Sequence, residues 1–195
     1  MTAGAFARVV RQAAVRPRPA GPCCGLCAEP VPDGHRHALD TGDGGLLCVC
    51  RACSLLFSRP AASRGHYQLI PQRRARLPGV PLRALGVPVG LAFFVPGSDG
   101  RVLAHYPSPA GATQWEVPPE AWQQARRACP ALEGLVPQVE ALLACTVRGR
   151  ADVWLLPLDD CYRLTAVVRQ HWRGLSGGDR VWPAIEKFLD ELREG

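Results

Sequence analysis

The feature that most constrains this chain is the crowding of thiols near its amino end: six of its nine cysteines lie between Cys23 and Cys53, in the segments CCGLC and CVCRAC. Cys24 and Cys27 form one Cys-x-x-Cys pair, Cys50 and Cys53 a second, and 22 residues separate them. Two intervening residues let a tight turn bring both sulfurs to one ion while backbone amides point at them, and two such knuckles complete a tetrahedron. Gly25 suits the first turn by relaxing the backbone. A secreted disulfide scaffold is the competing reading, but the odd number and the clustering favour a metal site at Cys24, Cys27, Cys50 and Cys53. Four thiolates suit zinc or a single iron. Zinc is the commoner ion, and the knuckles CGLCA and CRACS lack the Cys-Pro and trailing glycine of rubredoxins, so zinc is expected and iron is the alternative.

More ligands are present than one site needs. Cys23, His35, His37 and Cys48 lie nearby, and Cys23 reads as a spare thiol. The segment HRHALDTGDGGLLCVC has two runs around a Gly/Asp-rich turn, which predicts a hairpin. If paired residue numbers sum to 85, His37 lies opposite Cys48 and His35 opposite Cys50, all on one face because side chains alternate along a strand. That geometry could supply a second metal site, or a mixed thiolate and imidazole site with Cys48 in place of Cys50. The plainer alternative has the histidines donating hydrogen bonds to thiolates or facing solvent. A one-residue slip would destroy the arrangement.

Around this cluster the chain divides into a tail or short helix over 1–21, a metal-binding ribbon over 22–58, a basic Pro/Arg-rich connector over 59–86 and an α+β domain over 87–195 that ends in two helices. With 47% hydrophobic and 21% charged residues, the chain has the composition of a packed globular protein, and 19 prolines with 20 glycines predict short elements and many turns. The net charge of +6 is uneven: residues 1–98 carry +8 and residues 99–195 carry −2. No window approaches 18 uncharged apolar residues, and arginines interrupt the apolar stretch of MTAGAFARVVRQAAVRPRPAGP, so neither a membrane span nor a secretory signal is expected and a cytoplasmic location is.

From Gly44 to Ser98 there are seven arginines and no acidic residue. The stretch PQRRARLPGVPLRALGVP, with Arg73, Arg74 and Arg76, invites a nucleic-acid reading, but it carries no nameable recognition helix or aromatic signature. A connector that docks on an acidic protein surface, or is merely solvated, is preferred, with those three arginines as its contacts where it docks. Beyond Pro88, VGLAFFV and RVLAHYP predict a hairpin around GSDG, PPEAWQQARRAC a short helix stopped by Pro130, and VEALLACTVRG with ADVWLLPL a second strand pair. Asp159 or Asp160 is expected to cap a helix running to Trp172, and Val181, Ile185, Phe188, Leu189 and Leu192 form the apolar stripe of a last helix. The expected fold is therefore α+β: a small zinc-ribbon-like module followed by a compact antiparallel sheet with helices on one face.

No catalytic constellation emerges. His105, His171, Asp159 and Asp160 have no nucleophile placed among them, WRGLSGGD reads as an interhelical turn, and Cys129, Cys145 and Cys161 read as buried small apolar residues. A non-enzymatic protein is expected.

As a set, CGLC, HRHALD, LLCVCRACSLLF, PVGLAFF and LDDCYRLTAVVRQHWRGLSGGDRVWPAIEKFL resemble, from about Pro22 to Leu192, an uncharacterised bacterial domain family whose genes neighbour those of hydrogen-scavenging nickel-iron hydrogenases. The resemblance implies a metal-binding accessory protein that assists assembly, maturation or docking of such a hydrogenase, with a hydrogenase subunit or maturation factor as partner. A rubredoxin-like iron-thiolate electron carrier for the hydrogenase is the alternative, and a nucleic-acid-binding zinc-ribbon protein is the third reading.

Overall fold

The computed structural model describes residues 21–58, 65–85, 90–174 and 177–194, so the expected amino-terminal tail or helix lies outside the described residues apart from Gly21. In chain order the elements are β1 (Arg36–Asp40), β2 (Leu46–Val49), α1 (Arg51–Leu56), β3 (Tyr67–Leu69), β4 (Ala75–Arg76), β5 (Leu91–Pro96), β6 (Val102–Ser108), β7 (Gly111–Glu116), α2 (Pro119–Ala128), β8 (Glu140–Cys145), β9 (Asp152–Pro157), α3 (Leu158–His171) and α4 (Gly178–Glu194). They form two antiparallel sheets, one ordered β2-β1-β3 and one ordered β4-β9-β8-β5-β6-β7.

The small sheet is built on the expected hairpin. Its turn is held by side chains of the same turn: the Asp40 carboxylate accepts from the Gly42 amide at 2.9 Å and the Asp43 carboxylate from the Gly45 amide at 2.7 Å. With the turn so defined, His37 pairs with Cys48 and Ala38 with Leu47, the register in which paired numbers sum to 85.

The large sheet is α+β and antiparallel, as expected, but it is covered on both faces. Phe93, Leu143, Trp154 and Leu156 pack with Leu164, Val168, Ile185 and Leu189 of α3 and α4. Their strand neighbours Phe94, Leu142, Val153 and Leu155 pack with Ala121, Trp122 and Ala125 of α2. The expectation of helices on one face holds for α3 and α4 and is corrected for α2. The physical reason lies in β8 and β9, where all six residues of each strand are buried. Apart from Glu140 and Asp152 at their starts these are apolar runs, which need cover on both sides, unlike half-solvated strands that alternate.

The basic connector, over its described residues 65–85, is likewise not a solvated link. Its β3 completes the small sheet through pairing with β1, and its β4 adds an edge strand beside β9. In this segment Arg73 grips Glu140 at 2.7 and 3.1 Å, Arg74 grips Asp160 at 2.6 and 3.1 Å, and Arg76, in β4, reaches Asp152 at 3.2 Å. All three carboxylates are buried. The segment is a strap whose cations neutralise buried acids of the second domain, an internal role that the docking expectation for Arg73, Arg74 and Arg76 did not include. Burial would raise Asp152, but hydrogen bonds from Arg150 and Arg193 hold its carboxyl below the usual range.

The turn between α3 and α4 bears out the interhelical reading of WRGLSGGD. Gly177 is in left-handed backbone at φ +92°, and a Cβ there would sit 2.9 Å from Val181 Cγ1. Gly177→Ala is expected to cost about 1–3 kcal/mol through strain and overpacking, read as a lower urea midpoint with an unchanged slope.

Candidate metal centre

The four cysteines of the two knuckles converge: one sulfur from each of Cys24, Cys27, Cys50 and Cys53 lies within 4.8 Å of the others, and Cys27 Sγ is 3.7 Å from Cys50 Sγ. The first knuckle is a closed turn in which the Ala28 amide donates to the Cys24 carbonyl at 2.9 Å. Ala28, at φ +61°, carries the left-handed residue of this turn. Gly25 is not in left-handed backbone; its amide donates to the Cys48 carbonyl at 2.8 Å, and a Cβ there would come within 3.1 Å of the Leu47 side chain, a tight approach that Leu47 would have to yield to. The second knuckle opens α1, where Cys50 sulfur accepts from the Cys53 amide at 3.4 Å.

Electrostatics at the four sulfurs suit a cation. Burial pushes the Cys24 thiol up, but amide donors from Cys50, Leu26 and Cys27 outweigh it and bring it down to about 6. Cys53 is pushed up to about 12, first by burial and then by its thiol neighbours. The Cys24 sulfur is thus ready as a thiolate near neutral pH, and thiols that bind a metal ion give up their protons to do so. The four cysteines could hold one metal ion.

The ribbon's own core is small. Among the described residues its cluster has Cys24, Val31, Ala38, Val49 and Cys53 as buried members, so two of five are the proposed ligands themselves, with Leu26, Cys48, Cys50, Phe57 and Leu69 partly buried against them. A core this small does not stabilise an isolated module without a crosslink or a metal.

Cys23 stands apart from this set, with its thiol 3.6 Å from the Gly21 carbonyl. Cys48 does not replace Cys50; it gathers with His35 and His37 in a second group whose ligand atoms lie within 4.8 Å of one another. The histidines are tied to other partners: His35 Nδ1 donates to the Pro32 carbonyl at 2.9 Å and His37 Nδ1 to the Asp159 carboxylate at 2.8 Å. Asp159 is the residue that sequence reasoning placed elsewhere. The cap of α3 is Pro157, not Asp159 or Asp160 as expected, and it makes no side-chain cap bond; Asp159 and Asp160 sit in the first turn, committed to His37 and Arg74. Nothing local in the sequence links positions 37 and 159.

The other candidate groups do not converge. Asp159 and His171 stand at opposite ends of α3, and His105 is a buried core residue stacked on Phe93 at 4.8 Å, with its protonation disfavoured by burial. Cys129, Cys145 and Cys161 are buried, as expected. Among the described residues no helix is long and apolar enough to cross a membrane.

Fold and site together define an α+β protein with an amino-terminal thiol-rich ribbon. The chain belongs to a family of unknown function, DUF5947, whose model matches residues 23–195. No curated protein and no solved structure matches it.

Proposed function

We propose that this chain is a non-enzymatic, metal-binding accessory protein in which a structural zinc ion at Cys24, Cys27, Cys50 and Cys53 holds the ribbon in shape for a protein partner. The observation that carries the reading is the convergence of four thiols in a module whose own apolar cluster is too small to stand alone. Leu55 and Leu56, 66% and 64% exposed, lie on α1 just beyond Cys53 and supply apolar contact area that the metal would hold in place. The partner named by the motif resemblance is a nickel-iron hydrogenase subunit or one of its maturation factors, and the role is assembly, maturation or docking in the cytoplasm.

Two observations weigh against the competing readings. Arg73, Arg74 and Arg76 are matched by buried carboxylates, which removes the centre of the basic patch that a nucleic-acid ligand would need. The knuckles lack the rubredoxin residues, which weighs against iron. Elemental analysis with a visible spectrum on anaerobically purified protein tests the metal: a colourless, zinc-containing protein is expected, and iron with thiolate absorption would replace this reading by the electron carrier. A tagged chain should retain a hydrogenase subunit or maturation factor, and a Leu55→Asp/Leu56→Asp variant should lose it. Failure of the unaltered chain to retain either would overturn the partner assignment.

A further inference from the structure

The hairpin that leads into the second knuckle carries a second set of metal ligands. His37 and Cys48 are direct cross-strand partners in β1 and β2, His35 precedes β1 by one residue, and the two imidazoles meet edge-on with centroids 4.8 Å apart. One ligand atom from each of the three residues lies within 4.8 Å of the others. Ligand atoms sharing one tetrahedral zinc are about 3.3–3.8 Å apart by its bond lengths, so closure needs a movement of roughly 1 Å.

The hydrogen bonds decide which nitrogens are free. A carbonyl only accepts, so His35 Nδ1 carries its proton toward Pro32 and leaves Nε2 as a bare lone pair. The Asp159 carboxylate likewise accepts from His37 Nδ1–H, which keeps its proton and leaves that Nε2 bare. His35 Nε2 is buried with no hydrogen-bond partner among the described residues. An unpartnered buried acceptor is costly unless something occupies it. Metal-binding histidines characteristically donate their second ring N–H to a carboxylate or a backbone carbonyl, and these two histidines supply one case of each.

We propose that His35, His37 and Cys48 bind a second divalent transition-metal ion through two imidazole nitrogens and one thiolate, leaving its fourth position open to the adjoining cleft. The cleft is about 570 Å³ and is also lined by Gln72, Arg74, Asp160 and Arg163. A mixed nitrogen and sulfur set suits a borderline ion such as zinc or cobalt(II) and does not suit calcium or magnesium. The thiolate and Asp159 balance the two charges of the ion, and Asp160 balances Arg74. Arg163, 3.6 Å from Asp160, remains as the cleft's excess cation, so the fourth ligand is water or a small anionic group such as a carboxylate. The two centres differ in kind: four thiolates close the first, whereas three ligands and an open position make the second exchangeable. This assignment is independent of the accessory role and of any hydrogenase partner.

The test is cobalt(II) titration of the full chain, reduced and stripped of metal, followed by visible absorption. Two equivalents are expected, the first giving four-thiolate bands and the second a weaker thiolate-to-cobalt band. His35→Ala and Cys48→Ser should each bind one equivalent with the four-thiolate bands unchanged, which also reports that the ribbon has folded. His35→Ala touches neither knuckle and keeps the test decisive should Cys48→Ser disturb neighbouring Cys50. Asp159→Asn, a positioning change, should keep the second band but weaken that affinity about 10–100-fold. A single equivalent in the unaltered chain, or a second equivalent held with undiminished affinity by His35→Ala, would overturn the assignment.

Discussion

Replacing Cys53 or Cys24 with serine is expected to release the ion from the four-thiolate centre and to unfold the ribbon while the six-stranded sheet keeps its own structure. Structural zinc contributes roughly 10–16 kcal/mol of apparent binding free energy to small modules, which far exceeds what five buried residues can supply. The large domain has the opposite balance, since two extensive apolar clusters cover both faces of its sheet without help from any ion. The two parts touch through Leu39 and Ile70, which enter the core under α3 and α4, and through the Asp159 contact of His37. A modest fall in the melting temperature of the large domain should therefore accompany loss of the ribbon. Hydrogen exchange separates the outcomes by position: amides of 36–40 and 46–49 should lose protection, and those of 140–145 and 152–157 should retain it. Full metal content in Cys53→Ser would refute the ligand assignment, and loss of protection throughout would refute the independence of the large sheet.

What could be read from the sequence was what short-range chemistry dictates. The hairpin register followed from a turn rich in Gly and Asp flanked by two runs, and the structure pairs His37 with Cys48 accordingly. The strands VGLAFFV, RVLAHYP, VEALLAC and ADVWLLP were legible from length and apolar content, and the last two also carried the sign of double-sided cover, because they do not alternate. The third strand of the β5-β6-β7 meander was missed: it is an exposed edge, Trp115 included, and has no buried face to announce it. The strap was missed for a different reason. A run of arginines without nearby acids looks solvated, and its acids lie 67 to 86 residues further along, where only tertiary packing brings Glu140, Asp152 and Asp160 beneath it. The same distance hid Asp159, whose position beside Asp160 at a helix start is the ordinary mark of a cap.

The strap makes the second strong prediction. Glu140 is 1% exposed, and its carboxylate accepts from Arg73 Nε at 3.1 Å, Arg73 Nη2 at 2.7 Å and the Val136 amide at 2.9 Å. Arg73→Ala strips two of these three donors and leaves a buried anion with one. Removing one partner of a buried pair typically costs about 3–5 kcal/mol, and the half-exposed guanidinium shifts the expectation to about 2–4 kcal/mol because water can reach part of the vacated space. At this chain length that is a fall in melting temperature of about 5–15 °C. The penalty belongs to the stranded carboxylate, so the double variant Arg73→Ala/Glu140→Leu should recover most of the loss, since an apolar group in that position needs no donor. If Arg73 served only to contact a partner, Arg73→Ala would leave the melting temperature of the isolated chain unmoved and Glu140→Leu would add nothing in combination. A large single effect with recovery in the double variant instead places Arg73 in the folding of this protein, and leaves recognition to other surfaces such as Leu55 and Leu56 on α1.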